Sequence, residues 1–416
     1  MVNFSRKTAV LMLSLILFVT LLTSTVLATN ASDVASRFSD GQKKIICIAH
    51  KGDWHSFPEN SAEAVNAAAE YDAVSVDVRL TSDGKPILMA DETVDRMLVD
   101  GEGKPVSGNV SSFTLAQLKA LYLRKANGGA DKGKTDCRIP ELKEIYETAD
   151  GKTAIMLNVQ VNDFKPVYDY VKSLGKLDET IFRINANAKK IIELTKSLDD
   201  INVTGNYQGN IIFLATSAAK ECFANKIYTI EMGSTNGNGV LYGNFLMKRF
   251  TGNKRAMVSM VNGRCGKRAD NETGWDDLIS RGYSVIETDY PAELTEYIRK
   301  TESTATELEK YIDLYGNTDL SPYTSESEKA FAAALSDAKE LLKDKSSFSE
   351  LTDARSALQT AYDSLTVGEK KNVSLKFKFT PGRIITVVLC AAAFTVGTLY
   401  LRSKRKTTDN QAQKAV

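Results

Sequence analysis

The chain runs to 416 residues, 43% hydrophobic and 25% charged, a globular composition that excludes a disordered, collagenous or disulfide-stapled chain and leaves room for two or three folded units. The 53 Lys and Arg nearly cancel the 52 Asp and Glu, but residues 1–8 and 370–416 hold 12 of the bases and one acid, so the remainder carries a net charge of −10. A body of that sign repels a phosphate backbone, and no nucleic-acid partner is expected.

Arg6 and Lys7 precede an apolar run from Ala9 to Leu22 that closes on small residues, with Val26 and Ala28 placed as at a signal-peptidase site. Residues 1–28 are therefore expected to be a secretory signal peptide and 29–43 a linker. A retained signal anchor is the alternative, since Ala9–Ala28 has about the 20 residues a membrane span requires. Between residues 44 and 302 eight β-rich runs alternate with helical stretches: IICIA, AVSVDVRL, AIMLNVQ, TIFRI, NIIFLA, IYTIEM, AMVSMV and SVIETD. Helix signals lie between them at Ser61–Ala69, after the Pro58-Glu59-Asn60 turn, and at Asp163–Leu174. The alternation predicts an α/β fold, a (β/α)8 TIM barrel, with a doubly wound sheet as the other arrangement of the same periodicity.

Strand-formers become sparse after Thr301. Helices are expected at Thr304–Tyr315, Ser325–Lys343 and Ser347–Leu365, a small bundle over residues 303–368. Ser325 with Glu328 and Ser347 with Glu350 match the capping box, and Leu351, Ala354, Leu358, Ala361 and Leu365 recur on one helical face. The stretch YTSESEKAFAAALSDAKELL…ALQTAYDSL resembles the short FIVAR helical modules of secreted bacterial surface proteins. A linker at 369–383 then leads to Ile384–Leu401, an uncharged run of transmembrane length, and a basic cytoplasmic tail at 402–416. The expected placement is a single-pass cell-membrane protein, tethered by its C-terminal helix, with an extracellular body. Of five cysteines, Cys390 lies in the expected span and Cys47 in the apolar KIICIAH run. Cys137, Cys222 and Cys265 allow one disulfide that spacing does not assign.

The segment IAHKGDWHSFPENSAEAV, followed by AVSVDVRLTSDGKPILMADETVDR, strongly resembles the glycerophosphodiester phosphodiesterase family, and RIPELKEIYE and VIETDYPAEL match it in order. The resemblance covers residues 45–299. It implies a site at the C-terminal ends of the barrel strands, where active members use two histidines as acid and base and three carboxylates around a Ca2+ or Mg2+ ion. Such chemistry requires a cation for the phosphodiester anion and a proton for the leaving alkoxide.

This chain keeps part of that set. His50 matches the first histidine, Lys51 replaces the following arginine, and Glu59 and Asn60 match residues expected at the substrate. Asp77 matches one metal carboxylate, while Ser75 and Gln160 occupy the other two metal positions and Ala90 replaces the second histidine. A single carboxylate holds Ca2+ or Mg2+ weakly, so metal binding is expected to be weak or absent and the site impaired. The partner expected is a phosphodiester or a cell-envelope ligand, bound with help from Trp54 and Asn262. The alternative is an active phosphodiesterase rebuilt around His50 and His55, the chain's two histidines. No chemistry is expected of Asp289-Tyr290-Pro291 after the last strand.

Overall fold

The computed structural model describes residues 30–39, 44–198, 201–209, 211–233, 247, 250, 252–261, 265, 268–343 and 346–368. Eight parallel strands close on themselves: β1 (Ile46–His50), β2 (Ala73–Leu80), β3 (Ala154–Gln160), β4 (Thr180–Asn185), β5 (Asn202–Gln208), β6 (Thr229–Gly233), β7 (Arg255–Ser259) and β8 (Tyr283–Thr288). The closing pair is β1 with β8, in register from Ile46 opposite Val285 to Ala49 opposite Thr288. With helices in the other connections, the link between β6 and β7 lying mostly outside the described residues, this is a (β/α)8 TIM barrel. An antiparallel strand Pro86–Leu88 hangs on β2, and Leu98–Val99 pairs with Tyr122–Leu123 outside the barrel.

Strand alternation explains how the interior divides. Ile46 and Ile48, Ala73, Ala154 and Met156, Ile181, Met257 and Val285 form one buried cluster with Val34, Ala35 and Phe38 of the N-terminal segment. Two residues further along the same faces stand His50, Ser75, Asn158, Arg183, Ser259 and Glu287. The lower interior is thus apolar and the upper interior polar. The segment expected as a linker contains a helix, Ala31–Arg37, capped by Asn30. Arg255 donates to the carbonyls of Arg37 and Lys44 at 2.7 and 2.9 Å, which holds both ends of that segment to the barrel floor.

The fifth strand is not the expected NIIFLA run. Ile212–Ala224 is a helix that buries Ala215, Ala219 and Cys222 at helical spacing and exposes Phe213 and Leu214. The strand is the preceding NVTGNYQ, whose Gly205 hides it from β-propensity. That glycine is structural: a Cβ there would lie 2.7 Å from Cys222 Sγ and 3.2 Å from Ile230, so the helix packs directly on the strand backbone.

Helix Pro291–Gly316 runs unbroken through residues 302–303, so the last barrel helix and the first helix expected after it are one element. Ser325–Leu341 and Phe348–Asp363 pack on its second half through Leu308, Ile312, Phe331, Ala338, Leu351 and Leu358. The capping box of Ser347 and Glu350 forms as expected. In the described part of a second unit, residues 321–324 and 366–368, Tyr323 bridges Val367. Cys47, Cys137, Cys222 and Cys265 are free thiols, so none of the disulfide candidates is paired with another.

The expected single-pass placement in the cell membrane, with an extracellular body and a cytoplasmic C-terminus, is corrected. Among the described residues no helix is long and apolar enough to cross a membrane. A span needs about 20 apolar residues, and the 26-residue helix Pro291–Gly316 is interrupted by charges throughout. The two segments that prompted the expectation, 1–28 and Ile384–Leu401, lie outside the described residues.

Candidate active site

The polar upper interior opens as a cavity of about 230 Å³ lined by His50, Lys51, Asp77, Ala90, Asn158, Gln160, Arg183, Glu231 and Glu287 among others. Its first wall is the turn after β1. Lys51 and Gly52 have φ of 59° and 77°, and a Cβ on Gly52 would fall 2.5 Å from the Ala64 carbonyl carbon. Only glycine permits that approach. The Lys51 amide donates to Ser75 O at 2.8 Å and its carbonyl accepts from Asn60 N at 3.1 Å, so the turn is tied to β2 and to the Pro58-Glu59-Asn60 segment.

His50 ends β1, and its Nδ1 lies 2.8 Å from Oδ1 of Asp289. The same oxygen accepts from Trp54 Nε1 at 2.8 Å, leaving Nε2 of His50 for a ligand. Burial alone would depress the imidazole pKa; the Asp289 hydrogen bond and the nearby Glu287 outweigh it and hold His50 above its ordinary value. Burial would raise Asp289, but the bond to His50 keeps it below the usual carboxylate range. Asp289, of which no chemistry was expected, is therefore the residue that orients His50. Its sequence signal was the TDYP ending of β8.

Lys51 Nζ is 3.1 Å from Glu59 and 3.8 Å from Asp77. Glu59 is buried and also accepts from Arg96 Nη2 at 2.6 Å, while Arg96 Nε holds Asp91 at 2.6 Å. Asn60, 2% exposed, donates through Nδ2 to Asp77 at 3.1 Å and accepts from the Asp77 amide at 2.9 Å. Glu59 and Asn60, expected at the substrate, thus position Lys51 and Asp77 from behind. Trp54 caps the Asp289 carboxylate, and His55 stacks on Trp54 with ring centroids 4.0 Å apart and lies 5.4 Å from Tyr290. The structure brings His50 and Lys51 into one cavity and places His55 outside its lining. Asn262 lies outside the described residues.

The positions expected for metal ligands are engaged otherwise. Ser75, fully buried, donates to Glu287 Oε1 at 2.6 Å. Arg183 spans Glu231 and Glu287, which it reaches at 2.5 and 2.9 Å. Asp77 accepts from Asn158 Nδ2 at 3.1 Å, and Gln160 Oε1 from Asn185 Nδ2 at 3.0 Å. Among the described residues no group of three or more His, Cys, Asp or Glu side chains is placed to hold a metal ion. The donor set does not fit Ca2+ or Mg2+: the buried carboxylates already face a guanidinium, and Asp77 faces the Lys51 ammonium. Arg183, Glu231 and Glu287 escaped notice in the sequence. Their signal was a charged residue at an inward position of the runs TIFRI, IYTIEM and SVIETD.

Residues 50–243 match the model of the glycerophosphoryl diester phosphodiesterase family. The match begins at His50 and ends beyond β6. The chain is 34% identical over 151 residues to a glycerophosphodiester phosphodiesterase of Caldanaerobacter subterraneus, covering 36% of this chain and 57% of that protein. It is 39% identical over 165 residues to glycerophosphodiester phosphodiesterase 1 of Homo sapiens, covering 36% of this chain and 48% of that one. The chain thus spans about half the length of these relatives. A solved glycerophosphoryl diester phosphodiesterase from Parabacteroides distasonis aligns with 64% of this chain and 90% of its own at 19% identity and a TM-score of 0.49.

Proposed function

We propose that the barrel mouth binds a phosphodiester, a glycerophosphodiester or a polymer built from them, and turns it over slowly or not at all. One observation carries this reading: a single cavity holds His50, Lys51 and, where a second histidine would be needed, Ala90. Lys51 offers an ammonium to a phosphate oxygen, and Asp289 favours the charged form of His50, which suits an anionic ligand. Cleavage asks for more. One group must take the proton of the attacking oxygen and another must supply the leaving alkoxide, and losing one of them costs about 10²–10⁴-fold in rate. The stack of His55 on Trp54 gives a relay through His55 no geometric support. For the helices that follow the barrel, the FIVAR-like reading remains a packing role, supported by their apolar cluster.

Calorimetric titration of the protein with glycerophosphocholine tests the reading. Binding is expected, weakened by about tenfold or more in Lys51→Ala, in line with the loss of one hydrogen bond to a charged group. Absence of binding at millimolar ligand, or turnover at the ~1–10³ s⁻¹ of ordinary enzymes, would overturn it.

A further inference from the structure

We infer that the guanidinium of Arg183 is the permanent counter-cation of the barrel mouth, a charge built into the chain that makes a divalent metal ion unnecessary for folding and for ligand binding. Three strands build the arrangement. From β4, Arg183 sends Nε and Nη2 to the two carboxylate oxygens of Glu231 on β6 at 2.6 and 2.5 Å. Its Nη1 reaches both oxygens of Glu287 on β8 at 3.1 and 2.9 Å. The glutamate side chains are 1% and 0% exposed. Ser75 holds Glu287 from β2, and Asn158, in register with both Asp77 and Arg183, links the network to Asp77.

Two buried carboxylates stay charged only beside a positive partner. A hard divalent ion would meet that need with several free anionic oxygens, but here one planar five-donor fork already engages four carboxylate oxygens. An entering Ca2+ or Mg2+ would have to displace the guanidinium or sit beside a like charge.

The test needs no ligand, so its outcome is separate from that of the phosphodiester reading. Thermal melting of the unmodified protein is expected to be the same in EDTA, Ca2+, Mg2+ or Mn2+. Arg183→Met, which strips Glu231 and Glu287 of their partner, is expected to lower the melting temperature by about 10 °C and to regain several degrees in millimolar Ca2+ or Mn2+. Should that variant not fold, Arg183→Met combined with Glu231→Gln and Glu287→Gln is expected to fold and to ignore metal. Destabilisation of the unmodified protein by EDTA, micromolar Ca2+ binding to it by calorimetry, or an Arg183→Met variant as stable as the parent would overturn the inference. So would failure of the triple variant to fold.

Discussion

Nδ1 of His50 is committed to Asp289, and this one bond sets the residue's pH behaviour. Asp289 and Glu287 face the imidazole as anions and Lys51 as a cation, with burial opposing the charge. The net result is a pKa above the ordinary value, so the imidazolium is favoured in the folded state. A raised folded pKa stabilises fully below the unfolded value, about 6.5, and the contribution fades as pH rises through the folded one. Urea denaturation near pH 6 and pH 9 is expected to show that loss, and His50→Gln to flatten it; an unchanged slope in His50→Gln would reject the assignment. Of this site, His50, Lys51 and Asp77 were legible in the sequence, because short motifs hold them. The Arg183 network was not. Its partners lie 48 and 104 residues away, and only barrel closure brings them together.

Among the elements, the joint between the barrel and the helices after it depends on Tyr297. Its ring packs edge-on against Trp275, while its hydroxyl donates to Asp276 Oδ1 at 2.8 Å and accepts from the Phe348 amide at 3.1 Å. Ser349 N donates to the same carboxylate at 3.0 Å. The start of helix Phe348–Asp363 is thereby anchored on the barrel. Tyr297→Phe keeps the ring and removes the acceptor of the half-buried Phe348 N–H, at a cost of about 1 kcal/mol. Chemical denaturation would measure it; no change would mean that packing alone holds the joint. Strands β1–β4 and β6–β8 were legible as apolar or alternating runs. The fifth was not, because Gly205, Asn206 and Gln208 have low strand propensity and an apolar helix follows. The N-terminal helix was missed because seven residues give too short a period to read.

At the scale of the whole molecule, the barrel sorts its charges by depth. An apolar floor closed by Val34, Ala35 and Phe38 lies beneath the Arg183 network, and the cavity with His50 and Lys51 lies above it. Among the described residues, three cations near the mouth are paired with carboxylates: Arg183 with Glu231 and Glu287, Arg96 with Glu59 and Asp91, and Lys51 with Glu59 and Asp77. Lys51 makes the longest and most exchangeable of these contacts, which leaves it the cation best placed to turn to an incoming phosphate. A steady-state assay of the whole protein with glycerophosphocholine, run with EDTA and then with Ca2+ and with Mg2+, tests the central claim most directly. We predict product formation indistinguishable from the protein-free control, or a slow rate that no metal raises. Multiple turnover stimulated by either ion, and abolished by EDTA, would contradict it.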